Sequence, residues 1–215
     1  MSLAAIILAA GQSSRMGAFK PLLPWGTQTV IDACIQYFRN GGVESIVVVV
    51  GHRGEDIRRH LASSSVKFAI NSDPSSQMNY SIRLGVEQLP EDCKATFLTP
   101  VDFPGVPSTI VGKLAAEWAS GSRLVKPTYQ ERGGHPVLVD LSLSNELLSL
   151  KPDAGLKGLF DSHKAEVKRL EVDSPYVARD IDTWDDYRAL YAEIFGVAPS
   201  AVPEDFSNEK RVGLI

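Results

Sequence analysis

Two glycines and two cations lie close together near the start of the chain, within residues 11–20, which we call the Gly-rich loop. Gly11 and Gly17 allow the backbone to turn its N–H groups inward, and successive N–H groups form a concavity that suits an anion. Arg15 adds a planar guanidinium for phosphate oxygens, and Lys20 adds a mobile point charge. The residue types and their spacing therefore predict a loop that binds a triphosphate.

Two better-known phosphate-binding patterns do not fit this loop. Gly17 is followed by Ala18 instead of lysine, so the P-loop pattern is absent, and no glycine stands two residues after Gly11, so the dinucleotide fingerprint is absent too. The remaining alternative is a surface turn with solvated cations. The apolar run at residues 3–8 predicts a buried strand before the loop, and open α/β sheets bind ligands at the carboxyl ends of such strands. That position favours the anion-binding interpretation.

Asp102 follows a second apolar run at residues 95–98 and lies between Pro100 and Pro104. It should therefore emerge at the same edge of the sheet as the Gly-rich loop. A carboxylate opposite a triphosphate favours a divalent cation, because Mg²⁺ binds one or two carboxylates together with phosphate oxygens. The alternative is an aspartate that only caps the next turn.

A second acidic element comes late in the chain, at residues 180–186. If Asp180 and Asp182 lie on a strand, both side chains point to the same side and one of them completes the metal site. Asp182 is equally well placed to cap the helix predicted at residues 184–194, as is Thr183. Both interpretations stay open on the residues alone.

His135 stands between Gly134 and Pro136, where the proline pushes it into an extended conformation. It would project from a fixed turn, where its imidazole can hydrogen-bond a ligand. A lone histidine of this kind is also commonly a structural donor.

Residues 8–24 read Leu-Ala-Ala-Gly-Gln-Ser-Ser-Arg-Met-Gly-Ala-Phe-Lys-Pro-Leu-Leu-Pro. This segment resembles the signature of nucleotidyltransferases with a GT-A-like, doubly wound fold. It is most similar to the molybdenum cofactor cytidylyltransferases and their guanylyltransferase relatives, and the resemblance extends over about residues 3–195. It implies Mg²⁺-dependent transfer of a nucleotidyl group from a nucleoside triphosphate to a phosphorylated acceptor, with release of pyrophosphate.

The resemblance also implies roles for individual residues. Catalytic roles are implied for Arg15, Lys20 and Asp102, and metal ligation for Asp102, Asp180 and Asp182. Nucleotide or acceptor contacts are implied for residues in the loop, in the segment before the third helix, and at two later turns: Leu8, Ala9, Ala10, Gly11, Ser13, Ser14, Gly17, Asn71, Met78, Ser81, Pro100 and His135. Lys157 is either an acceptor-phosphate contact or a solvated lysine. The chain departs from the family pattern at Gln77 and Tyr80, and Trp184 replaces a proline.

Ala10 favours cytidylyl transfer, because the guanylyl relatives tend to have glycine there. The expected reaction is transfer of CMP from CTP to molybdopterin, with handover of the product to a molybdoenzyme or its chaperone. Two alternatives stay open: a cytidylyl- or uridylyltransferase acting on a sugar or polyol phosphate, and a catalytically silent nucleotide-binding relative.

Alternating apolar patterns predict the elements that must position these residues. Strands are expected at residues 3–8, 45–50, 66–70 and 95–98, and helices at residues 29–39, 55–61, 81–88 and 108–118. This alternation predicts an α/β fold, a three-layer doubly wound and mostly parallel sheet of Rossmann-like type. Later strands are expected at 124–126, 136–139 and 167–172, and helices at 143–150, 155–162 and 184–194. We expect one transferase domain over residues 1–195, its second half binding the acceptor, and a C-terminal extension over 196–215.

Bulk properties narrow the class of protein. The 215 residues are 44% hydrophobic and 22% charged, which is typical of one soluble domain. A net charge of −4 argues against sequence-independent nucleic-acid binding. No apolar run approaches the roughly 20 residues that cross a bilayer, so no membrane association is expected. Cys34 and Cys93 lack metal-ligand spacing and are expected to be reduced thiols in a cytoplasmic protein.

Overall fold

The computed structural model describes residues 2–11, 16–73, 75–152 and 154–200. The strands of these residues, in chain order, are β1 Ser2–Ala9, β2 Pro24–Trp25, β3 Gln28–Thr29, β4 Ser45–Val50, β5 Lys67–Ile70, β6 Cys93–Pro100, β7 Leu124–Tyr129, β8 Arg132–Gly133, β9 Val137–Asp140 and β10 Val167–Glu171. The α-helices are α1 Val30–Asn40, α2 Gly54–His60, α3 Met78–Val86, α4 Ser108–Ala119, α5 Ser144–Leu148, α6 Gly155–Ser162 and α7 Trp184–Phe195. Short 3₁₀ turns lie at Lys20–Leu22, Leu141–Leu143 and Pro175–Ala178.

Eight of these strands form one sheet in the order β10-β7-β9-β6-β1-β4-β5, with β8 added beside β7. Strand β9 is antiparallel to both of its neighbours, and β8 is antiparallel to β7. The other pairings are parallel, so the predicted mostly parallel sheet is confirmed. The register aligns Leu8 with Pro100 and Ala9 with Val50, which brings the carboxyl ends of β1, β4 and β6 to one edge.

Helices cover both faces of the sheet, as the three-layer prediction requires. Consecutive residues of β1 point to opposite faces: Ile7 packs into a core with Phe38 of α1 and Leu114 of α4, whereas Ile6 packs into a core with Ile82 of α3. Both faces of β1 are therefore buried, which explains its uninterrupted apolar sequence.

The C-terminal helix α7 packs against the β2–β3 hairpin through aromatic rings. Trp25 of β2 makes an edge-on contact with Tyr191, at 5.7 Å between ring centroids, and a second with Phe195 at 5.4 Å. The Tyr187 hydroxyl donates a hydrogen bond of 2.5 Å to the Pro24 carbonyl. These contacts fix the start of α7 beside the end of the Gly-rich loop.

Several element bounds differ from the sequence predictions for local reasons. Residues 45–50 and 155–162 have the predicted bounds, whereas α3 begins at Met78, three residues before the predicted start. The β2–β3 hairpin and β8 have two residues per strand, too few for an apolar period to be visible. Residues 180–182 form no strand, so the strand that the pairing of Asp180 and Asp182 assumed is wrong.

Other sequence expectations concern the cysteines, the membrane and the domain boundary. Cys34 and Cys93 are buried free thiols. No helix among the described residues is both long enough and apolar enough to cross a membrane. Helix α7 ends at Phe195 with Gly196 in the left-handed conformation, at φ 71°. The division into a domain and an extension at this point stays a prediction.

Candidate active site

A cavity of about 400 Å³ opens at the carboxyl edge of β1, β4 and β6, and we call it the first cavity. Residues from the Gly-rich loop, from the segment before α3 and from the end of β6 line it: Leu8, Ala10, Gly11, Lys20, Pro21, His52, Asn71, Asp73, Ser76, Gln77, Met78, Ser81, Pro100, Val101 and Asp102. Ligands of open α/β sheets bind at such an edge. The fold therefore brings together residues that are far apart in the chain, from Leu8 to Asp102.

Lys20 is the cation of the first cavity among the described residues of the loop. It begins the 3₁₀ turn Lys20–Leu22, and its side chain is only 10% exposed. Its Nζ donates a hydrogen bond of 2.8 Å to Oδ1 of Asp182 and lies 3.6 Å from Oδ2 of Asp102. The ammonium therefore lies between two carboxylates that come from opposite ends of the chain.

Three carboxylates converge beside Lys20: Asp102, Asp180 and Asp182 each offer an oxygen within 4.8 Å of the others. A backbone hydrogen bond of 3.0 Å from the Ile181 N–H to the Asp102 carbonyl joins the two segments. Ile181 is fully buried, so the aspartates on either side of it turn together toward Asp102. The two side chains thus lie on the same side although residues 180–182 form no strand.

The acidic cluster has the chemistry of a divalent-metal site. Within the described ranges, the buried Oδ1 of Asp102 has no hydrogen-bond partner. Burial raises the pKa of Asp102; Lys20 lowers it, and Asp180 and Asp182 raise it again. A hard cation that prefers oxygen ligands stabilises a carboxylate that is desolvated, has one oxygen without a hydrogen-bond partner and lies close to two other carboxylates. The three aspartates fit such an ion.

Trp184 connects the acidic cluster to the Gly-rich loop. Its indole Nε1–H donates a hydrogen bond of 2.9 Å to the carbonyl of Met16, which is 2% exposed. The Thr183 hydroxyl accepts from the Asp186 N–H, and the Asp186 carboxylate accepts from the Thr183 N–H, which forms a capping box at the start of α7. Thr183 is therefore the N-cap residue of α7, and the Asp182 side chain accepts the hydrogen bond from Lys20 instead of capping the helix.

Asn71 organises the segment that leads into α3. Its amide donates to the hydroxyls of Ser76, at 2.7 Å, and Ser81, at 2.9 Å, and its Oδ1 accepts from the Asp73 N–H. The helix then begins at Met78 without a side-chain cap from Gln77. Helix N–H groups that lack such a cap suit an anion, and here they border the first cavity.

A second cavity of about 520 Å³ adjoins the first, since Met78 lines both. Its walls come from α6 and from the strands β7, β9 and β10: Lys126, His135, Val137, Ala154, Leu156, Lys157, Phe160, Asp161, Lys164, Val167 and Arg169. Four of these residues are cationic and one is anionic. The second cavity therefore has an apolar floor and a positive rim.

His135 lines the second cavity instead of the first. Burial lowers its pKa to about 4, its Nδ1 lies 3.5 Å from the Leu98 carbonyl, and its ring centroid lies 4.8 Å from that of Phe103. The imidazole is therefore neutral near pH 7. It makes structural contacts and also lines a cavity, so its role as a ligand contact stays a prediction.

The comparison with known families decides the assignment. A family model described as the MobA-like NTP transferase domain matches residues 5–167, which include the loop, Asp102 and His135. The chain belongs to this family. It is a nucleotidyltransferase, as the resemblance of residues 8–24 predicted.

Two relatives that this chain resembles are named for different activities. The molybdenum cofactor cytidylyltransferase of Escherichia coli is 29% identical over 88% of this chain and 97% of that protein. The nicotine blue oxidoreductase of Paenarthrobacter nicotinovorans is 26% identical over 86% of this chain and 95% of that protein.

Solved structures agree with the family assignment. Rv0371c of Mycobacterium tuberculosis superposes with a TM-score of 0.80 at 27% identity, over 89% of this chain and 98% of that chain. A complex of Rv0371c with manganese superposes with a TM-score of 0.76 at 26% identity, over the same shares. The manganese complex shows that this structural relative binds a divalent metal ion.

Apart from Asp180 and Asp182 in the acidic cluster and His135 in the second cavity, the residues predicted in this site fall into three groups. Leu8, Ala10, Gly11, Lys20, Asn71, Met78, Ser81, Pro100 and Asp102 line the first cavity. Ala9 and Gly17 do not: the Ala9 methyl group points into the core, and Gly17 forms an exposed turn with φ 64°. Ser13, Ser14 and Arg15 lie outside the described residues.

Sequence reasoning missed the two strand cations of the second cavity, Lys126 and Arg169. Lys126 is the one charged residue of β7, whereas Arg169 lies in β10 with Lys168 and Glu171, and neither cation lies in a recognisable motif. Only the pairing of β7 with β10 brings them together. The sequence offered one signal, a cation in each of two predicted strands, but it did not show that the two strands pair.

Proposed function

We propose that the protein catalyses Mg²⁺-dependent transfer of CMP from CTP to a phosphorylated acceptor, molybdopterin, with release of pyrophosphate. The single observation that carries the proposal is the convergence of Lys20 with Asp102, Asp180 and Asp182 at the mouth of the first cavity. Three converging carboxylates offer oxygen ligands for a divalent cation, and such a cation also neutralises a triphosphate.

The triphosphate would lie against the Gly-rich loop and the start of α3. Backbone N–H groups at Gly11 and at the uncapped start of α3 would face its phosphate oxygens, and Lys20 would add positive charge, as would Arg15 by the family resemblance. Asp102, with Asp180 and Asp182, would hold the metal. When bound, the metal neutralises the phosphate charge and polarises the α-phosphoryl group.

The acceptor would enter through the second cavity, whose positive rim suits a phosphate. An oxygen of the acceptor phosphate attacks the α-phosphorus of CTP, the bond from that phosphorus to the oxygen that bridges to the β-phosphorus breaks, and pyrophosphate leaves. A phosphomonoester has a second pKa of about 6, so it needs no general base near neutral pH. The chain's residues therefore act by position and charge.

Cytidine and molybdopterin are the finer part of the proposal. Ala10 at the end of β1 and the similarity to the Escherichia coli molybdenum cofactor cytidylyltransferase support them. As part of the same proposal, the reaction takes place in the cytoplasm and the product passes to a molybdoenzyme or its chaperone.

Pyrophosphate release tests the proposal with a panel of nucleoside triphosphates and acceptors. We expect turnover with CTP and molybdopterin in Mg²⁺, and loss of at least a thousandfold in Asp102→Asn. Asp185→Asn is the matched control, because Asp185 lies in the same acidic segment, is 96% exposed and is outside the metal cluster. Turnover with a sugar or polyol phosphate instead would replace the acceptor. CTP binding without turnover of any acceptor would mark a silent relative.

A further inference from the structure

Two cations face each other across neighbouring strands in the second cavity. The register of β7 and β10 places Lys126 directly opposite Arg169, and both side chains line the second cavity. Like charges opposite each other in a sheet are destabilising. Burial and, after it, the positive charge of Arg169 lower the pKa of Lys126. Both therefore disfavour the charged ammonium form of this side chain.

Neighbouring polar residues on the same two strands have partners. Two positions further on, Thr128 donates a hydrogen bond of 2.7 Å to its register partner Glu171. On the opposite face of β10, Lys168 lies 3.4 Å from a carboxylate oxygen of Glu117. By contrast, no carboxylate of residues 2–11, 16–73, 75–152 or 154–200 forms an ion pair with Lys126 or Arg169.

Other charged groups of the cavity do not neutralise the pair. Asp161 raises the pKa of Lys126 slightly, but its carboxylate accepts a hydrogen bond of 2.8 Å from Lys157. Lys164 adds a further positive charge to the wall. Backbone also comes close to the Lys126 stem, because a Cβ at Gly133 would lie 2.1 Å from its Cε. A glycine there leaves the ammonium room inside the cavity.

We infer that Lys126 and Arg169 form an anion-binding subsite that takes an anionic group of the acceptor, separate from the phosphate that reacts. This inference rests on the proposed function, because only that function makes the anionic ligand an acceptor. Strands β7 and β10 lie second and third from β6, which leads to Asp102. Since neighbouring strands are about 4.8 Å apart, the backbones of the two cations lie about 10 Å and about 14 Å from β6.

The subsite defines a class of acceptor. Apolar side chains of Val137, Leu156 and Phe160 line the cavity that also holds the two cations. A fitting acceptor has a phosphate at one end, an apolar or ring-containing middle and a second anionic group about 10 Å away. A short phosphomonoester without that second group leaves Lys126 and Arg169 unneutralised.

Inorganic phosphate is the probe for the subsite, in an NMR titration of the full chain without nucleotide. We compare Lys126→Gln and Arg169→Gln with Lys168→Gln, which removes a cation from the opposite face of the same strand. Phosphate should shift the amide signals of β7 and β10 in the wild type and in Lys168→Gln. In Lys126→Gln and Arg169→Gln the dissociation constant for phosphate should be at least tenfold larger. Equal binding in all variants, or equal loss in Lys168→Gln, overturns the inference.

Stability and kinetics supply the second readout. Removing one of two like charges relieves repulsion, so the Tm of Lys126→Gln and of Arg169→Gln should equal or exceed that of the wild type. Their KM for the acceptor should rise at least tenfold while the KM for CTP stays within twofold. A rise in both KM values contradicts a separate subsite. If the wild type turns over no acceptor, the proposed function fails, and the phosphate titration still decides the subsite.

Discussion

The two cavities differ in whether their cationic side chains are paired with carboxylates. In the first cavity, Lys20 lies between Asp102 and Asp182, so its positive charge is compensated inside the protein. In the second cavity, Lys126 and Arg169 oppose each other, and the described residues provide no carboxylate to pair with either. The first arrangement suits a ligand that brings both signs, a metal ion with a polyphosphate. The second suits a ligand that brings negative charge alone.

The largest effect expected in this comparison comes from Lys20→Met. Removing a cation that stabilises charge in the transition state typically lowers kcat by 10²- to 10³-fold, and we expect about that loss in pyrophosphate release. The same change leaves Asp102 and Asp182 without their ammonium partner, so it should increase their affinity for Mn²⁺. Calorimetry with Mn²⁺ measures the second effect. Unchanged kcat in Lys20→Met would remove Lys20 from the catalytic machinery.

A smaller effect should follow from Trp184→Phe, which deletes the indole N–H that holds Met16 and keeps an aromatic ring. One hydrogen bond contributes about 1 kcal/mol, so a loop that is less well held should bind CTP about fivefold more weakly. The KM for the acceptor should stay unchanged, because the hydrogen bond from Trp184 to Met16 lies on the side of the first cavity.

Trp118→Phe is the matched control for that measurement. Trp118 also donates its indole N–H to an oxygen, at 2.6 Å to Asp140, but it lies on α4, and neither residue lines the two cavities. The control should lower Tm by a similar amount without changing the affinity for CTP. If both variants change CTP affinity equally, the effect of Trp184 is general destabilisation.

The same contrast between the cavities explains what the sequence could predict. Residues of the first cavity come from contiguous segments: residues 8–24 and 100–104 have recognisable spacing, and the apolar runs before them place both at one edge of the sheet. Residues of the second cavity come from separate strands and α6, and strand pairing alone makes Lys126 and Arg169 neighbours. Spacing along the chain carries no information about that pairing.

The sequence also could not predict some local contacts of the site, because residues far apart in the chain form them. Asp180 and Asp182 do face the same side, but buried Ile181 and its hydrogen bond to Asp102 cause this, and not a strand. Trp184 stands where the family has proline, and only the structure shows that its N–H reaches Met16. Long-range tertiary contacts of this kind override any local pattern.

The central claim is that Asp102 and its two neighbouring aspartates hold a divalent cation beside the triphosphate. The most direct measurement is a titration of Mn²⁺, followed by electron paramagnetic resonance in the presence of CTP, on the wild type, Asp102→Asn and Asp185→Asn. We predict one saturable Mn²⁺ site in the wild type and in Asp185→Asn, and its loss in Asp102→Asn. Equal Mn²⁺ binding by all three proteins would contradict the claim.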